Sequence, residues 1–143
     1  MSYFERQRDR FVISTDPAKL DLPIVFNYLH HHAYWALGRS QATLEKSLQH
    51  SLVFGVYDGV SQVGMARVIS DYATFAYLCD VFILESHQRH GLGKWLIDCV
   101  KTHPDLQNLR RWMLATRDAH GLYEQYGFSG LADPTKWMEI IQA

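Results

Sequence analysis

A turn that is rich in glycine and basic residues follows the apolar stretch from Phe75 to Leu84 and leads into an amphipathic stretch. Gly91 and Gly93 allow the backbone to come close to a ligand, because neither residue carries a side chain. The free N–H groups and the dipole of a helix that begins here favour an anion at the turn. We therefore predict that the turn binds pyrophosphate. The residues expected to contact it are Gln88, Arg89, His90, Gly91, Leu92, Gly93 and Lys94.

Two other phosphate-binding motifs are excluded by their spacing. A dinucleotide-binding fingerprint requires a third glycine where this chain has Leu96. A P-loop requires Ser or Thr after the lysine, and Trp95 follows Lys94 instead. A glycine-containing loop without a ligand is the remaining alternative, although the predicted strand before it and helix after it favour phosphate binding.

Two short motifs lie about thirty residues apart, Gln88-x-x-Gly-x-Gly and Tyr123-x-x-x-Gly-Phe. Together they resemble the acyl-CoA loop and the end of the last helix in the GNAT superfamily of acyl-CoA-dependent N-acyltransferases. The resemblance implies a GNAT fold, which is an α/β (α+β) fold with a mixed, mostly antiparallel central sheet and helices on both faces, in one domain over residues 1–143. It also implies transfer of an acetyl group from the cosubstrate acetyl-CoA to an amine by direct attack in a ternary complex. A GNAT-fold sensor or binding module that holds acyl-CoA without transferring the acyl group is the alternative.

The resemblance also gives roles to particular positions. The main-chain groups of Phe82 and Ile83 match those that bind the pantetheine arm and the thioester oxygen. Tyr123 matches the family's tyrosine and is the expected general acid, since a phenol with a pKa of about 10 can protonate a departing thiolate. Packing of the Tyr123 ring on the sheet is the alternative role. Many relatives have Asn near the start of this helix, at a CoA contact, and the chain departs from that pattern with Arg117 and Asp118.

The base that would take a proton from the amine is not evident. Cys79 occupies the strand position from which the family's base often projects, but a thiol is a poor match for this role. Asp80 is the nearest carboxylate, and regular alternation along the strand places it on the opposite face from Cys79. A buried acid bonded to the main chain or to an arginine is the alternative role of Asp80. Arg39 and Arg67 are interpreted as surface charges unless the acceptor carries a carboxylate.

Three consecutive histidines, at 30–32, come shortly before Tyr34 and Trp35. Consecutive histidines on a helix point in different directions and cannot easily share one ion, so no metal site is predicted. In the family the segment between the first two helices lines the acceptor pocket. Tyr34 and Trp35, together with Cys79 and Asp80, are therefore the candidate acceptor-binding residues.

Composition, charge and apolar runs limit the partners and the location that we expect for this protein. The 143 residues are 48% hydrophobic and 20% charged, and the net charge of −1 argues against a nucleic-acid partner. The first ten residues lack the apolar region of a signal peptide, and no apolar run approaches the length of a membrane span. The two cysteines have no metal-binding or redox spacing. We expect a cytoplasmic protein without a membrane partner that acts on a small-molecule or peptide amine, as a monomer or homodimer.

Hydrophobic periodicity and turn residues predict the element order βααβββαβαβ. A hairpin at Asp58-Gly59 and a helix end at His103-Pro104 are clear boundaries. Asp118 is the predicted N-cap of the last helix, and Gly127 suits its C-terminal cap. The predicted strands are 11–14, 52–57, 63–69, 75–84, 112–115 and 136–141, and the predicted helices are 22–31, 41–49, 92 to about 103, and 118–126.

Overall fold

The computed structural model describes residues 2–31 and 38–142. In these residues the chain forms one six-stranded sheet with the order β1-β2-β3-β4-β5-β6 from edge to edge. The strands are β1 (Glu5–Arg8), β2 (Phe11–Ser14), β3 (Leu52–Asp58), β4 (Ser61–Ser70), β5 (Phe75–Ile83) and β6 (Arg111–Leu114). All neighbours pair antiparallel except β5 and β6, which run parallel. The mixed, mostly antiparallel sheet predicted from the sequence is confirmed.

Helices cover both faces of this sheet, as predicted. They are α1 (Leu22–His31), α2 (Gln41–Gln49), α3 (Leu92–Thr102) and α4 (His120–Glu124). On one face, α1 and α2 each bury a pair of apolar residues spaced four apart, which is the spacing of a helix stripe that faces a core. On the other face, α3 buries five of its residues against the sheet, and Tyr123 of α4 joins the same core. In the described residues no helix is long and apolar enough to cross a membrane.

A bulge in β5 changes the face to which its side chains point. Asp80 has a left-handed backbone conformation with φ of 51°, and the pairing with β4 shifts register beside it. Leu78 before the bulge and Val81 after it both pack into the core under α3, although regular alternation would separate them. Arg67 of β4 pairs in register with Cys79 and also donates a hydrogen bond to Asp80. The prediction that Cys79 and Asp80 lie on opposite faces is therefore wrong, because the bulge brings both to Arg67.

The last helix is shorter than predicted. Its N-cap is Ala119 and not Asp118, and α4 ends at Glu124. The Thr116 hydroxyl accepts a hydrogen bond from the Ala119 N–H at 3.1 Å, which satisfies the turn before the helix and leaves Asp118 outside it. Gly127, with φ of 94°, has the left-handed conformation expected where a helix ends.

The two ends of the described chain differ from the predicted element order. β1 was not predicted from the sequence, because all four of its side chains are polar and exposed and so show no alternation. The predicted strand at 136–141 is absent, since the structure has no strand after β6 in the part of the chain that it describes. A short 3-10 turn at Pro134–Lys136 is followed by an exposed stretch instead.

Candidate active site

The basic turn between β5 and α3 has the geometry of an anion site. Gly91 is the N-cap of α3 with φ of 72°, a left-handed conformation that a residue without a side chain adopts without strain. No side chain of the described residues caps this helix end, and the first helical bond is from the Trp95 N–H to the Gly91 oxygen. The N–H groups of Leu92, Gly93 and Lys94 therefore have no carbonyl partner within α3. A Cβ added at Gly93 would meet no atom within 4 Å, so the space over this turn is open.

Contacts from outside the turn hold its shape. Arg8 of β1 donates a hydrogen bond to the His90 carbonyl oxygen at 3.0 Å, and its guanidinium lies 5.0 Å from the centre of the Trp95 ring. The Gln88 side-chain amide donates to the Ile83 carbonyl oxygen at 2.9 Å and ties the turn to the end of β5. The turn is thus fixed from two sides before any ligand binds, and the Gln88 amide serves to position it.

The residues predicted to bind pyrophosphate occupy different environments within the turn. The side chains of Arg89, His90 and Lys94 are exposed, which leaves them available to an anion. The Leu92 side chain is buried in the core under α3, so only its backbone faces the turn. The structure thus brings the predicted residues together around one helix end.

Beside this turn, β5 and β6 separate. Their pairing ends at Leu78 and Leu114, while β5 continues to Ile83. A pocket of about 240 Å³ lies where they part, and Tyr123 is part of its wall. Its lining also includes Cys79, Asp80, Val81, Ala115, Thr116 and Ala119. The edge of β5 beyond Leu78 is not paired with β6, so this stretch has no strand on that side among the described residues.

Tyr123 is a buried residue that lines this pocket. Its side chain is only 8% exposed, and its ring meets the Phe128 ring edge-on with 6.0 Å between the centres. The second tyrosine of the motif, Tyr126, has a different role, because its hydroxyl donates to the Lys94 carbonyl oxygen at 3.0 Å and connects the end of the motif to α3. Tyr123 thus lines the pocket, whereas Tyr126 makes a structural contact.

Asp80 is the centre of a buried charge cluster. The residue is 3% exposed, and both Nη1 of Arg39 and Nε of Arg67 donate to its Oδ2 atom at 2.8 Å. Arg67 also donates to the Ser51 hydroxyl at 3.1 Å, at the end of α2. Burial alone would raise the pKa of Asp80, but the hydrogen bonds and charges of the two arginines hold it below its usual value. Asp80 is therefore the arginine-bonded acid of the second interpretation, and the view of both arginines as surface charges is wrong.

Neither residue near the bulge has the properties of a general base. Asp80 stays ionised, but both of its oxygens accept hydrogen bonds from Arg39. Burial raises the pKa of the Cys79 thiol to about 11, because the thiolate would lose its solvation. At neutral pH the thiol is protonated and cannot accept a proton from an amine.

Other predicted residues lie in different places. The Phe82 ring stacks on Tyr28 with 4.2 Å between centres and is buried under α1 and α2, so its side chain is not available to a ligand. His30 stacks on Phe26 and shares a hydrogen bond with the Arg39 carbonyl oxygen at 3.0 Å. Tyr34 and Trp35 lie outside the described residues. Among the described residues no three His, Cys, Asp or Glu side chains are grouped to hold a metal ion.

The sequence analysis allowed an arginine-bonded Asp80 but did not identify Arg39 and Arg67 as its partners. Arg39 and Asp80 are 41 positions apart, and they meet only because the bulge turns Asp80 toward the helices. No spacing rule in the sequence marks such a pair.

Comparison with known proteins places this geometry in a family. Residues 49–130 match the family model of the acetyltransferase (GNAT) domain. A protein from Gibberella zeae, itself assigned provisionally as an acetyltransferase, is 33% identical over 81% of this chain and 77% of its own length. The chain belongs to the GNAT acetyltransferase family.

Solved structures agree with this assignment. A GNAT-family protein from Xanthomonas campestris pv. campestris, provisionally assigned as an acetyltransferase, is 46% identical and superimposes with a TM-score of 0.92, covering 95% of this chain and 96% of that one. A GNAT acetyltransferase from Elizabethkingia anophelis, crystallised with acetyl-CoA bound, superimposes with a TM-score of 0.64 at 16% identity, covering 85% of this chain and 78% of that one. The second comparison shows a shared fold.

Proposed function

We propose that this protein transfers an acetyl group from acetyl-CoA to an amine by direct attack in a ternary complex, within a single domain at residues 1–143. The observation that carries the proposal is the adjacency of two features: an uncapped helix end at Gly91 and a pocket between parting strands that holds Tyr123. The acetyl-CoA bound to the Elizabethkingia relative supports the same cosubstrate here. The two free thiols, Cys79 and Cys99, support a cytoplasmic location, because a reducing compartment keeps cysteines unpaired.

The pyrophosphate of CoA is assigned to the helix end. The N–H groups of the first turn of α3 would bind its oxygens, and the dipole of the helix favours its negative charge. Open space over Gly93 supports a close approach of the phosphates. The exposed side chains of Arg89, His90 and Lys94 add donors at the rim, where each pair contributes about 1 kcal/mol or less.

The pantetheine arm and thioester are assigned to the opening between β5 and β6. There the main-chain groups of Phe82 and Ile83 lie beyond the last residue of β5 that pairs with β6. The Ile83 carbonyl oxygen already accepts the Gln88 amide, so the arm would use the other main-chain groups of this stretch. An N–H directed at the thioester oxygen would stabilise the oxyanion by a few kcal/mol.

The reaction then proceeds through a tetrahedral intermediate. The lone pair of a neutral amine attacks the thioester carbon, a C–N bond forms, and the carbonyl oxygen becomes an oxyanion. Collapse of the intermediate breaks the C–S bond, and the Tyr123 hydroxyl gives its proton to the departing thiolate. The nitrogen loses one proton to solvent, and the phenolate regains one from solvent, so protons balance over the cycle.

We infer that no side chain of the protein takes the proton from the acceptor ammonium, and that solvent takes it instead. Cys79 and Asp80 line the pocket with Tyr123, where they are a protonated thiol and an arginine-bound carboxylate. Acceptors would therefore bind in their neutral form or lose their proton to water. Tyr34 and Trp35 stay candidates for the acceptor wall, with a small-molecule or peptide amine as the acceptor.

Calorimetry and thiol release together test the proposal. Gly93→Glu should abolish CoA binding, because its side chain and charge would occupy the phosphate site. Gly93→Ala is the fold control, since the added methyl meets open space and a helical alanine is more stable than glycine by about 1 kcal/mol. Val60→Glu, at a fully exposed hairpin tip, controls for the added charge. Unchanged CoA affinity in a folded Gly93→Glu variant would reject the phosphate assignment.

Wild-type protein is then screened with acetyl-CoA against classes of amine. Release of free CoA thiol that depends on one class of amine supports transfer. Tight binding of acetyl-CoA without thiol release for any amine class would favour the alternative function of a sensor or binding module.

A further inference from the structure

The charges of the buried cluster around Asp80 do not balance. Both Arg39 and Arg67 donate to the one carboxylate at 2.8 Å, so two positive charges face one negative charge. Among the described residues, these three carry the charges that act on the neighbouring Cys79 thiol, and no further acid offsets the second arginine there. The cluster therefore has one positive charge in excess.

This excess charge lies mostly out of contact with water. The Arg39 side chain is 20% exposed and the Arg67 side chain is 12% exposed. A charge removed from water is costly unless an opposite charge compensates it. One arginine would be enough for a structural ion pair with Asp80. The second arginine is therefore explained best by a negative charge that arrives with a ligand.

The two guanidinium groups still have donors to offer. Nε of Arg39 and Nη2 of Arg67 have no oxygen acceptor among the described residues. Both atoms remain in contact with solvent, because the Tyr57 hydroxyl is the one fully buried side-chain donor without a partner in this part of the chain. Asp80 fixes both groups, and the Ser51 hydroxyl accepts a further hydrogen bond from Arg67 at 3.1 Å. Guanidinium groups held in this way suit a carboxylate, whose two oxygens match the spacing of their donors.

The cluster adjoins the pocket in which we place acetyl transfer. Cys79 and Asp80 line that pocket together with Tyr123. Cys79 also pairs in register with Arg67 across β4 and β5. The phosphates of CoA are assigned to the end of α3, so the cosubstrate does not account for the charge at this place. The acceptor is the ligand that remains.

We propose that the acceptor amine carries a carboxylate and that Arg39 and Arg67 bind this carboxylate. The inference rests on the proposed acetyl transfer and names the substrate class for the same site. The acceptor is then a small amino acid, with its amino group toward the thioester and its carboxylate toward the arginines. A polyamine or another purely cationic amine is disfavoured, because the excess positive charge of the cluster repels it.

Thiol release by the wild-type protein at saturating acetyl-CoA measures this preference. The acceptors are the α-amino acids, β-alanine and 4-aminobutyrate, and each is compared with its own carboxamide. Values of kcat/KM are expressed per neutral amine, because the carboxamide also changes the pKa of the amine. The best carboxylate should exceed its carboxamide by about 10-fold or more, as expected for hydrogen bonds to a charged group. Turnover of an amine without a carboxylate at an equal or higher kcat/KM would overturn this inference and leave acetyl transfer intact.

Arg67→Gln removes one guanidinium group and the excess charge. The ratio of kcat/KM for carboxylate over carboxamide should fall by about 10-fold or more, whereas a purely structural loss would lower both values alike. If this variant does not fold, Arg39→Gln carries the same test, since Arg39 is the more exposed of the two. Arg6→Gln is the matched control at the far edge of the sheet, where the side chain is exposed, and it should keep the wild-type ratio. An unchanged ratio in a folded cluster variant would overturn the inference.

Calorimetry with CoA separates the acceptor from the cosubstrate. The CoA affinity of the folded cluster variant should equal that of wild type. A loss of CoA affinity would show that the arginines bind a phosphate of CoA, and the inference would be wrong.

A wild type that releases no thiol with any acceptor would count against acetyl transfer itself, and binding then tests the arginines separately. N-acetyl amino acids and N-acetyl amino acid amides are titrated into CoA-loaded protein. Tighter binding of the carboxylate, by about 10-fold or more and lost in Arg67→Gln, would support carboxylate recognition. Equal binding of the two ligands, or binding of neither, would overturn it.

Discussion

Replacement of Tyr123 by phenylalanine removes the proposed proton donor and little else. The ring is 8% exposed and packs edge-on against Phe128 at 6.0 Å, and phenylalanine retains both the ring and this contact. The free energy of unfolding should change by about 1 kcal/mol, the contribution of one hydrogen bond. General acid catalysis contributes about 10²–10⁴-fold, so kcat should fall by that factor, which corresponds to about 3–5 kcal/mol of transition-state stabilisation.

The measurement is thiol release under saturating acetyl-CoA, with CoA affinity determined separately by calorimetry. A loss confined to kcat, with unchanged affinity, is expected if the interaction exists only in the transition state. Tyr126→Phe is the matched control, because it deletes the same hydroxyl three positions away, where that group bonds to the Lys94 carbonyl oxygen. Single-turnover kinetics establish that chemistry limits the rate. If Tyr123→Phe then lowers kcat less than about threefold, water and not Tyr123 protonates the thiolate.

Three further predictions concern charge and burial. The folded-state pKa of Asp80 lies below its unfolded value. The ion pairs of Asp80 therefore stabilise the protein above about pH 4, and this stability is lost as the pH falls through the folded-state pKa. The unfolding free energies of wild type and Asp80→Asn, measured in urea, should differ most near pH 7 and converge in acid. Because Cys79 and Asp80 are unsuited as bases, the pH dependence of kcat/KM should be set by the pKa of the acceptor amine. Two acceptors of different pKa should give pH profiles of kcat/KM that are displaced by the difference in pKa, whereas one shared pH profile would indicate a base on the protein. The Tyr57 hydroxyl is buried without a hydrogen-bond partner among the described residues, so Tyr57→Phe should leave stability unchanged or raise it by about 1–3 kcal/mol in thermal or urea unfolding.

The helices over one face of the sheet could be predicted to the residue. α1 and α2 begin and end where the sequence indicated, because Pro23 suits a first helical turn and Ser40 can cap the next helix. The Ser40 hydroxyl accepts a hydrogen bond from the Thr43 N–H at 3.1 Å. These signals are local, so neighbouring residues alone decide them.

Long-range features could not be predicted in the same way. Alternation along β5 assumes one uniform pleat, but Asp80 has a left-handed conformation where the register between β4 and β5 shifts, and it bonds to Arg39 and Arg67. The failure of the predicted last strand has a similar cause. A β-pattern at 136–141 indicates that the segment can pair, but the pattern does not say whether a partner lies in the same chain.

The hydrogen bond from Arg8 to the His90 carbonyl oxygen joins residues 82 positions apart. A contact over so long a separation forms late in folding, because most of the chain must be ordered before its ends can meet. The shape of the anion-binding turn therefore depends on the docking of the first strand, although the turn itself is local in sequence. During refolding, recovery of CoA binding would follow recovery of helix and mark the arrival of the N-terminal strand.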